Sequence, residues 1–216
     1  MDPIALVAVS MLAFQSPTRD AADTRSATQG DNRASEHVVT DKAADLDGDG
    51  RPERISLVAV RDPDAAREGD DRGELTVAVS WNGRVLESRT MAGVALPLEI
   101  AALGSRRAKE RTTVILAGAA HCGGSCAGME LVVLALRDGA LVPLLDLEDL
   151  GMGEIVVTRG GALETREAIP DPDHAAPSRE RVTHYELRGG ALVPTSETAR
   201  RAKPANGAHP RIRVER

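Results

Sequence analysis

The sequence predicts a mainly β protein, an antiparallel meander that folds into a sandwich or an open barrel. Short runs of Val, Ile, Leu and Thr alternate with other residues at a period of two from Val38 onward, as strands with one buried face do. Residue pairs that tolerate positive φ separate these runs, as tight hairpins require. No window of about 12 residues carries the apolar stripe of an amphipathic helix.

The chain begins with an apolar run, IALVAVSMLAF at residues 4–14. A helix needs about 20 residues to cross a bilayer, whereas the apolar region of a secretory signal has roughly 7 to 15. We therefore expect residues 1–16 to be a signal or hydrophobic N-terminal segment of a secreted or periplasmic protein, with no transmembrane span after signal removal. Because no Lys or Arg precedes the run, a buried strand or short core helix is the alternative.

Composition divides the rest of the chain into three parts. Residues 17–37 are rich in Asp, Ser, Thr, Ala and Arg, which predicts a disordered spacer because such residues bury too little apolar surface to offset ordering. Residues 38–196 form the predicted single β domain. Residues 197–216 carry mostly basic charges and are predicted to be a mobile basic tail.

The strand and turn candidates of the β domain follow one another at short intervals. The clearest strands are RISLVAV at 54–60, ELTVAVSW at 74–81, TTVILAG at 112–118, ELVVLAL at 130–136 and EIVVT at 154–158. The turn pairs are Asn82-Gly83, Asp138-Gly139, Gly160-Gly161 and Gly189-Gly190. Since Gly, Asn and Asp accept positive φ, each pair predicts a β-hairpin.

Composition also argues against nucleic acid as a partner. The chain has 33 acidic and 27 basic residues and a net charge of −6, whereas phosphate binding relies on clustered basic residues. Only Phe14, Trp81 and Tyr185 are aromatic, so stacking platforms for single-stranded bases are scarce. We expect a protein, glycan or envelope partner, which the sequence does not identify further.

The strongest chemical signal is the acidic segment DLDGDGRPE at residues 45–53. Its candidate metal ligands are Asp45, Asp47, Asp49, the carbonyl oxygen of Arg51, and Glu53. Carboxylates at alternate positions of a tight loop converge, and Ca²⁺ takes about six to eight oxygen ligands, whereas Mg²⁺ seldom uses an all-protein cage. We therefore predict a calcium site. It is not an EF-hand, because its twelfth position is Ser56 rather than a bidentate Glu.

This segment resembles the calcium loop of FG-GAP and VCBS-type repeat proteins, in which D-x-D-x-D-G-x-x-(D/E) leads directly into a strand. The resemblance covers residues 43–60 and matches the pattern at each ligand position. It implies an extracellular or periplasmic protein built from β-propeller blades, in which the metal stiffens a hairpin and performs no chemistry.

Aligning TTVILA on ISLVAV allows a degenerate second copy of this unit 57 residues further along the chain, but the sequence does not decide whether residues 102–118 are such a copy. The ligand positions then become Ala102, Gly104 and Arg106, which would hold no metal. A closed propeller has at least about four blades, and the predicted domain is too short for four units of this length. The size therefore leaves an incomplete propeller-like domain, a sandwich or an open barrel.

The segment HCGGSC at residues 121–126 contains both cysteines of the chain. In an exported protein, Cys122 and Cys126 are expected to form a disulfide. The alternatives are a soft-metal site or a redox or nucleophilic cysteine that also uses His121, and a pair of free buried thiols.

No nucleophile elbow, P-loop, dinucleotide fingerprint or zinc-protease motif occurs in the sequence, so an enzyme is the less favoured class. The leading hypothesis is an exported, calcium-stabilised β module with a binding or structural role in the cell envelope or outside the cell. The alternative is a metal carrier or a redox or hydrolytic enzyme centred on His121, Cys122 and Cys126.

Overall fold

The computed structural model describes residues 35–61, 73–104, 111–121, 128–151, 153–169, 178–202 and 210–215. The described residues form strands and turns and contain no helix, which confirms the predicted fold class. The strands are β1 (Ser35–Ala44), β2 (Glu53–Arg61), β3 (Gly73–Trp81), β4 (Arg84–Ala95), β5 (Glu99–Leu103), β6 (Thr112–Ala120), β7 (Gly128–Arg137), β8 (Ala140–Gly151), β9 (Glu154–Val157), β10 (Leu163–Ile169), β11 (Arg179–Arg188), β12 (Ala191–Arg201) and β13 (Arg211–Val214).

The strands form one sheet of eight strands and one of five, and these contain three successive four-stranded antiparallel meanders, each called a sheet below. The first sheet is β1–β4, the second is β5–β8, and the third is β9–β12. The first two sheets are joined because Val94 and Ala95 at the end of β4 pair with β6. β13 adds to the third sheet by pairing parallel to β9.

The second sheet buries both of its faces. Ile115 of β6 belongs to a core cluster shared with the first sheet, and its neighbour Leu116 belongs to a cluster shared with the third sheet. The same alternation continues along β7, where Val132 and Val133 face opposite clusters. This explains why β6 and β7 read as nearly continuous apolar runs, as strands covered on both faces do.

The predicted turn pairs connect strands as expected. Asn82-Gly83, Asp138-Gly139 and Gly189-Gly190 each have two consecutive positive φ angles, and they join the third and fourth strands of the three sheets in turn. Gly160-Gly161 lies between β9 and β10, where the Thr158 N–H donates to the Ala162 carbonyl at 2.9 Å. All four hairpins are therefore present.

The boundaries of the folded region differ from the prediction at both ends. β1 begins at Ser35, within the predicted spacer, and residues 211–214 form β13, where a mobile basic tail was expected. Residues 211–214 form a strand because Arg and apolar residues alternate there, so that Ile212 is buried against the third sheet. Arg211 and Arg213 place their Nε atoms 2.9 and 3.1 Å from the Glu154 carboxylate, which offsets the local positive charge.

The order of the strands does not test whether the calcium-loop unit has a second copy. β2 and β6 contain the two aligned segments, and each is the second strand of its sheet. Of the aligned ligand positions, Ala102 lies in β5 and Gly104 directly follows that strand, while Arg106 lies outside the described residues. The Gly104 N–H donates to the Gly161 carbonyl at 3.1 Å, so this stretch connects the second and third sheets.

Candidate metal site

Three aspartates converge in the loop between β1 and β2. Carboxylate oxygens of Asp45, Asp47 and Asp49 all lie within 4.8 Å of one another. Leu46, between the first two, is buried in the core shared by the first and second sheets. That anchor directs the flanking aspartates toward solvent, and Gly48 and Gly50 supply the positive φ angles of 81° and 85° that the tight path requires.

Backbone N–H groups of the loop donate to these carboxylates. Asp45 accepts bonds from Gly48 N–H at 2.7 Å and Gly50 N–H at 3.1 Å. Asp47 accepts from its neighbour Asp49 at 3.1 Å, and Asp49 accepts from Arg51 at 2.7 Å. The loop is therefore held in a converged conformation by local bonds of the kind that Asp forms in turns.

Glu53 lies outside the aspartate group, although the sequence pattern places it among the ligands. Its side chain is 6% exposed, and its Oε2 accepts the Leu46 N–H at 2.6 Å. This bond closes the base of the loop at the first residue of β2. In this structure Glu53 therefore clamps the loop. Arg51, whose carbonyl oxygen is the other predicted ligand, is exposed on the loop.

Trp81 also contacts the acidic loop, from the end of β3. Its indole Nε1–H donates to Asp47 Oδ2 at 2.7 Å. The two residues are 34 positions apart in the chain, so no local spacing pattern indicates the contact. A hydrogen bond to the far side of a candidate metal ligand fixes the orientation of that ligand.

The nearest described ion pairs do not involve the loop carboxylates. Arg54 binds Asp41 across β1 and β2 through its Nε at 3.0 and 2.9 Å, and Lys42 Nζ lies 3.0 Å from Glu99. The Arg54 guanidinium lowers the pKa of the Asp41 carboxyl, and Asp41 raises the pKa of Arg54. Among the described residues, no Lys or Arg forms an ion pair with the three aspartates.

The other predicted site is described only in part. Cys122 and Cys126 lie outside the described residues, so both the disulfide and the cysteine-centred alternatives stay predictions. His121 directly precedes that segment, and its N–H donates to the Gly128 carbonyl at 2.9 Å. Its Nε2 lies 3.6 Å from Glu130 Oε1, which places a carboxylate beside the imidazole.

Comparison with protein-family models, with curated proteins and with solved structures finds no match to this chain. Within the described ranges, no helix has the length and apolar character needed to span a membrane.

Proposed function

We propose that the loop at residues 45–53 binds a calcium ion and that the ion stabilises the first sheet of an exported β module. The observation that carries the proposal is the convergence of Asp45, Asp47 and Asp49 within 4.8 Å, while no Lys or Arg of the described residues forms an ion pair with them. Two like charges about 4 Å apart repel by about 1 kcal/mol in water. A divalent cation would turn this repulsion into attraction.

The donor set fits calcium better than a softer metal. The three aspartates offer only carboxylate oxygens, which are the hard ligands that Ca²⁺ prefers, and backbone carbonyl and water oxygens complete such sites. In this proposal Asp45, Asp47 and Asp49 hold the ion. Glu53 and Trp81 stabilise the loop through their hydrogen bonds to the Leu46 N–H and to Asp47. The ion would cross-link β1 and β2 and, through Asp47 and Trp81, the end of β3.

The role of the module is binding or structural, in the cell envelope or outside the cell. The apolar run at residues 4–14 supports export, and millimolar extracellular calcium suits a site of moderate affinity. The proposed function is thus that of a calcium-stabilised scaffold that binds a partner.

Thermal unfolding in calcium and in chelator tests the proposal. At a calcium concentration ten times the Kd, linkage adds about 1.4 kcal/mol to the free energy of unfolding, which raises the Tm of a domain of this size by about 3–6 °C. Asp49→Asn should abolish most of the shift. Asp138→Asn is the matched control, because Asn suits the same hairpin position and lies in a different loop. An equal Tm in millimolar calcium and in chelator would contradict the proposal.

A further inference from the structure

A cleft of about 560 Å³ opens beside the acidic loop. It is lined by residues 46–48 of the loop, by Trp81, by residues 111–113 at the start of β6, and by residues 136–139 at the β7–β8 turn. The cleft therefore lies where the first and second sheets meet. Its volume falls within the range of about 300–1,000 Å³ that is common for small-molecule sites.

The indole ring of Trp81 is fixed in this cleft at two points. Its Nε1–H is bonded to Asp47, and a Cβ at Gly139 would lie 2.7 Å from the ring carbons Cζ3 and Cη2. Gly139 thus leaves the space that the ring needs. A large aromatic surface held in one orientation binds an apolar ligand face with little further loss of conformational entropy.

The charges that line the cleft balance. Asp47 and Asp138 oppose Arg111 and Arg137. Asp47 is bonded to Trp81, and Arg137 donates through Nη1 to the Gly190 carbonyl at 3.0 Å. This lining does not favour an anion, since it lacks the net positive charge that an anionic ligand requires.

The polar groups that remain suit a ligand with many hydroxyls. Thr113 lies on the same face of β6 as Ile115, toward the first sheet, and its hydroxyl both donates and accepts, while Arg111 adds guanidinium donors at the exposed side. A pyranose ring has an apolar C–H face for an indole and a rim of hydroxyls for such groups.

We propose that this cleft binds a neutral sugar residue of a glycan, with the pyranose against Trp81 and its hydroxyls bonded to Arg111 and Thr113. This inference names a glycan as the partner of the binding role proposed above, and it rests on that binding role alone. It does not require the metal, because Asp47 orients Trp81 by a direct hydrogen bond.

Trp81 is the only tryptophan of the chain, so its fluorescence reports on the cleft without a label. The full chain is titrated with maltotriose, cellotriose and triacetylchitotriose, in calcium and in chelator, and separately with pyrophosphate as an anionic probe, in chelator only, because pyrophosphate itself binds Ca²⁺. We expect a saturable emission change with at least one neutral trisaccharide and none with pyrophosphate. The chelator arm separates this proposal from the calcium proposal, which is judged by the Tm shift alone.

Two variants and a control locate the binding site by calorimetry. Arg111→Ala and Trp81→Ala should each weaken trisaccharide binding about ten-fold or more. Arg188→Ala should leave it unchanged, since Arg188 precedes the corresponding turn of the third sheet and does not line the cleft. Circular dichroism checks that each variant folds, and Arg111 is exposed, so its truncation keeps the test valid if Trp81→Ala unfolds. Absence of binding to all three trisaccharides, or a response to pyrophosphate instead, would overturn the inference.

Discussion

Glu53 distinguishes two explanations of the acidic loop. The sequence pattern makes Glu53 a metal ligand, whereas the structure shows it bonded to the Leu46 N–H at 2.6 Å with only 6% of its surface exposed. Glu53→Ala would leave this buried N–H without its acceptor. An unsatisfied buried donor costs about 1–3 kcal/mol, which corresponds to a Tm decrease of about 2–12 °C for a domain of this size.

The assay is thermal unfolding of Glu53→Ala in chelator and in millimolar calcium. If Glu53 is a clamp, the variant loses the same stability in both conditions and keeps a calcium-induced shift. Glu53→Gln should lose less, because its amide oxygen can still accept the bond, although a neutral acceptor is weaker than a carboxylate. Glu74→Ala is the control, since it removes an exposed carboxylate from the same sheet and such changes usually stay within about 0.5 kcal/mol.

The outcome that would refute this reasoning is specific. A Glu53→Ala protein with an unchanged Tm in chelator and no response to calcium would show that Glu53 acts through the ion. The role that the structure assigns to its bond with Leu46 would then be wrong.

Two further predictions concern other parts of the chain. Because Arg54 lowers the pKa of Asp41, Arg54→Ala should raise that pKa toward its ordinary value, as an NMR titration of the Asp41 carboxyl carbon would show. An unchanged titration would contradict the assignment. The Asp41–Arg54 contribution to stability is present at neutral pH and is lost as the pH falls through the lowered pKa of Asp41. If Cys122 and Cys126 form the predicted disulfide, the purified protein resists alkylation and its intact mass is two hydrogens below that of the reduced chain; two freely alkylated thiols would instead favour the cysteine-centred alternative.

Much of the fold can be predicted from local sequence because its strands are short and its turns are tight. Asn82-Gly83 and Asp138-Gly139 specify hairpins however the flanking strands pack, because the required positive φ angles depend on the turn residues themselves. The buried runs of β6 and β7 even carry the signature of a sheet covered on both faces. Which sheet covers which face depends on contacts between distant segments, and the sequence pattern does not encode these directly.

The candidate site divides in the same way. The convergence of Asp45, Asp47 and Asp49 follows from their alternate spacing, the buried Leu46 and the two glycines, all of which are local. The part played by Trp81 depends on the register of β3 against β2, and so it could not be read from the loop. Glu53 fits the ligand pattern by spacing, but the pattern does not specify whether its carboxylate faces an ion or a backbone N–H.

The three equivalent turns show why Trp81 matters to the functional argument. The residue before the turn of the second sheet, Arg137, reaches the glycine of the next turn and bonds to the Gly190 carbonyl. Trp81 occupies the same position in the first sheet and packs on Gly139 of the next turn. An Arg–carbonyl bond is sufficient to join two sheets, so the joint itself does not require an indole. Trp81 differs from Arg137 in that it also bonds to Asp47 and lines the cleft. The equivalent positions of Trp81 and Arg137 thus account for the contact of residue 81 with the next turn. The metal and sugar proposals account for why residue 81 is a tryptophan.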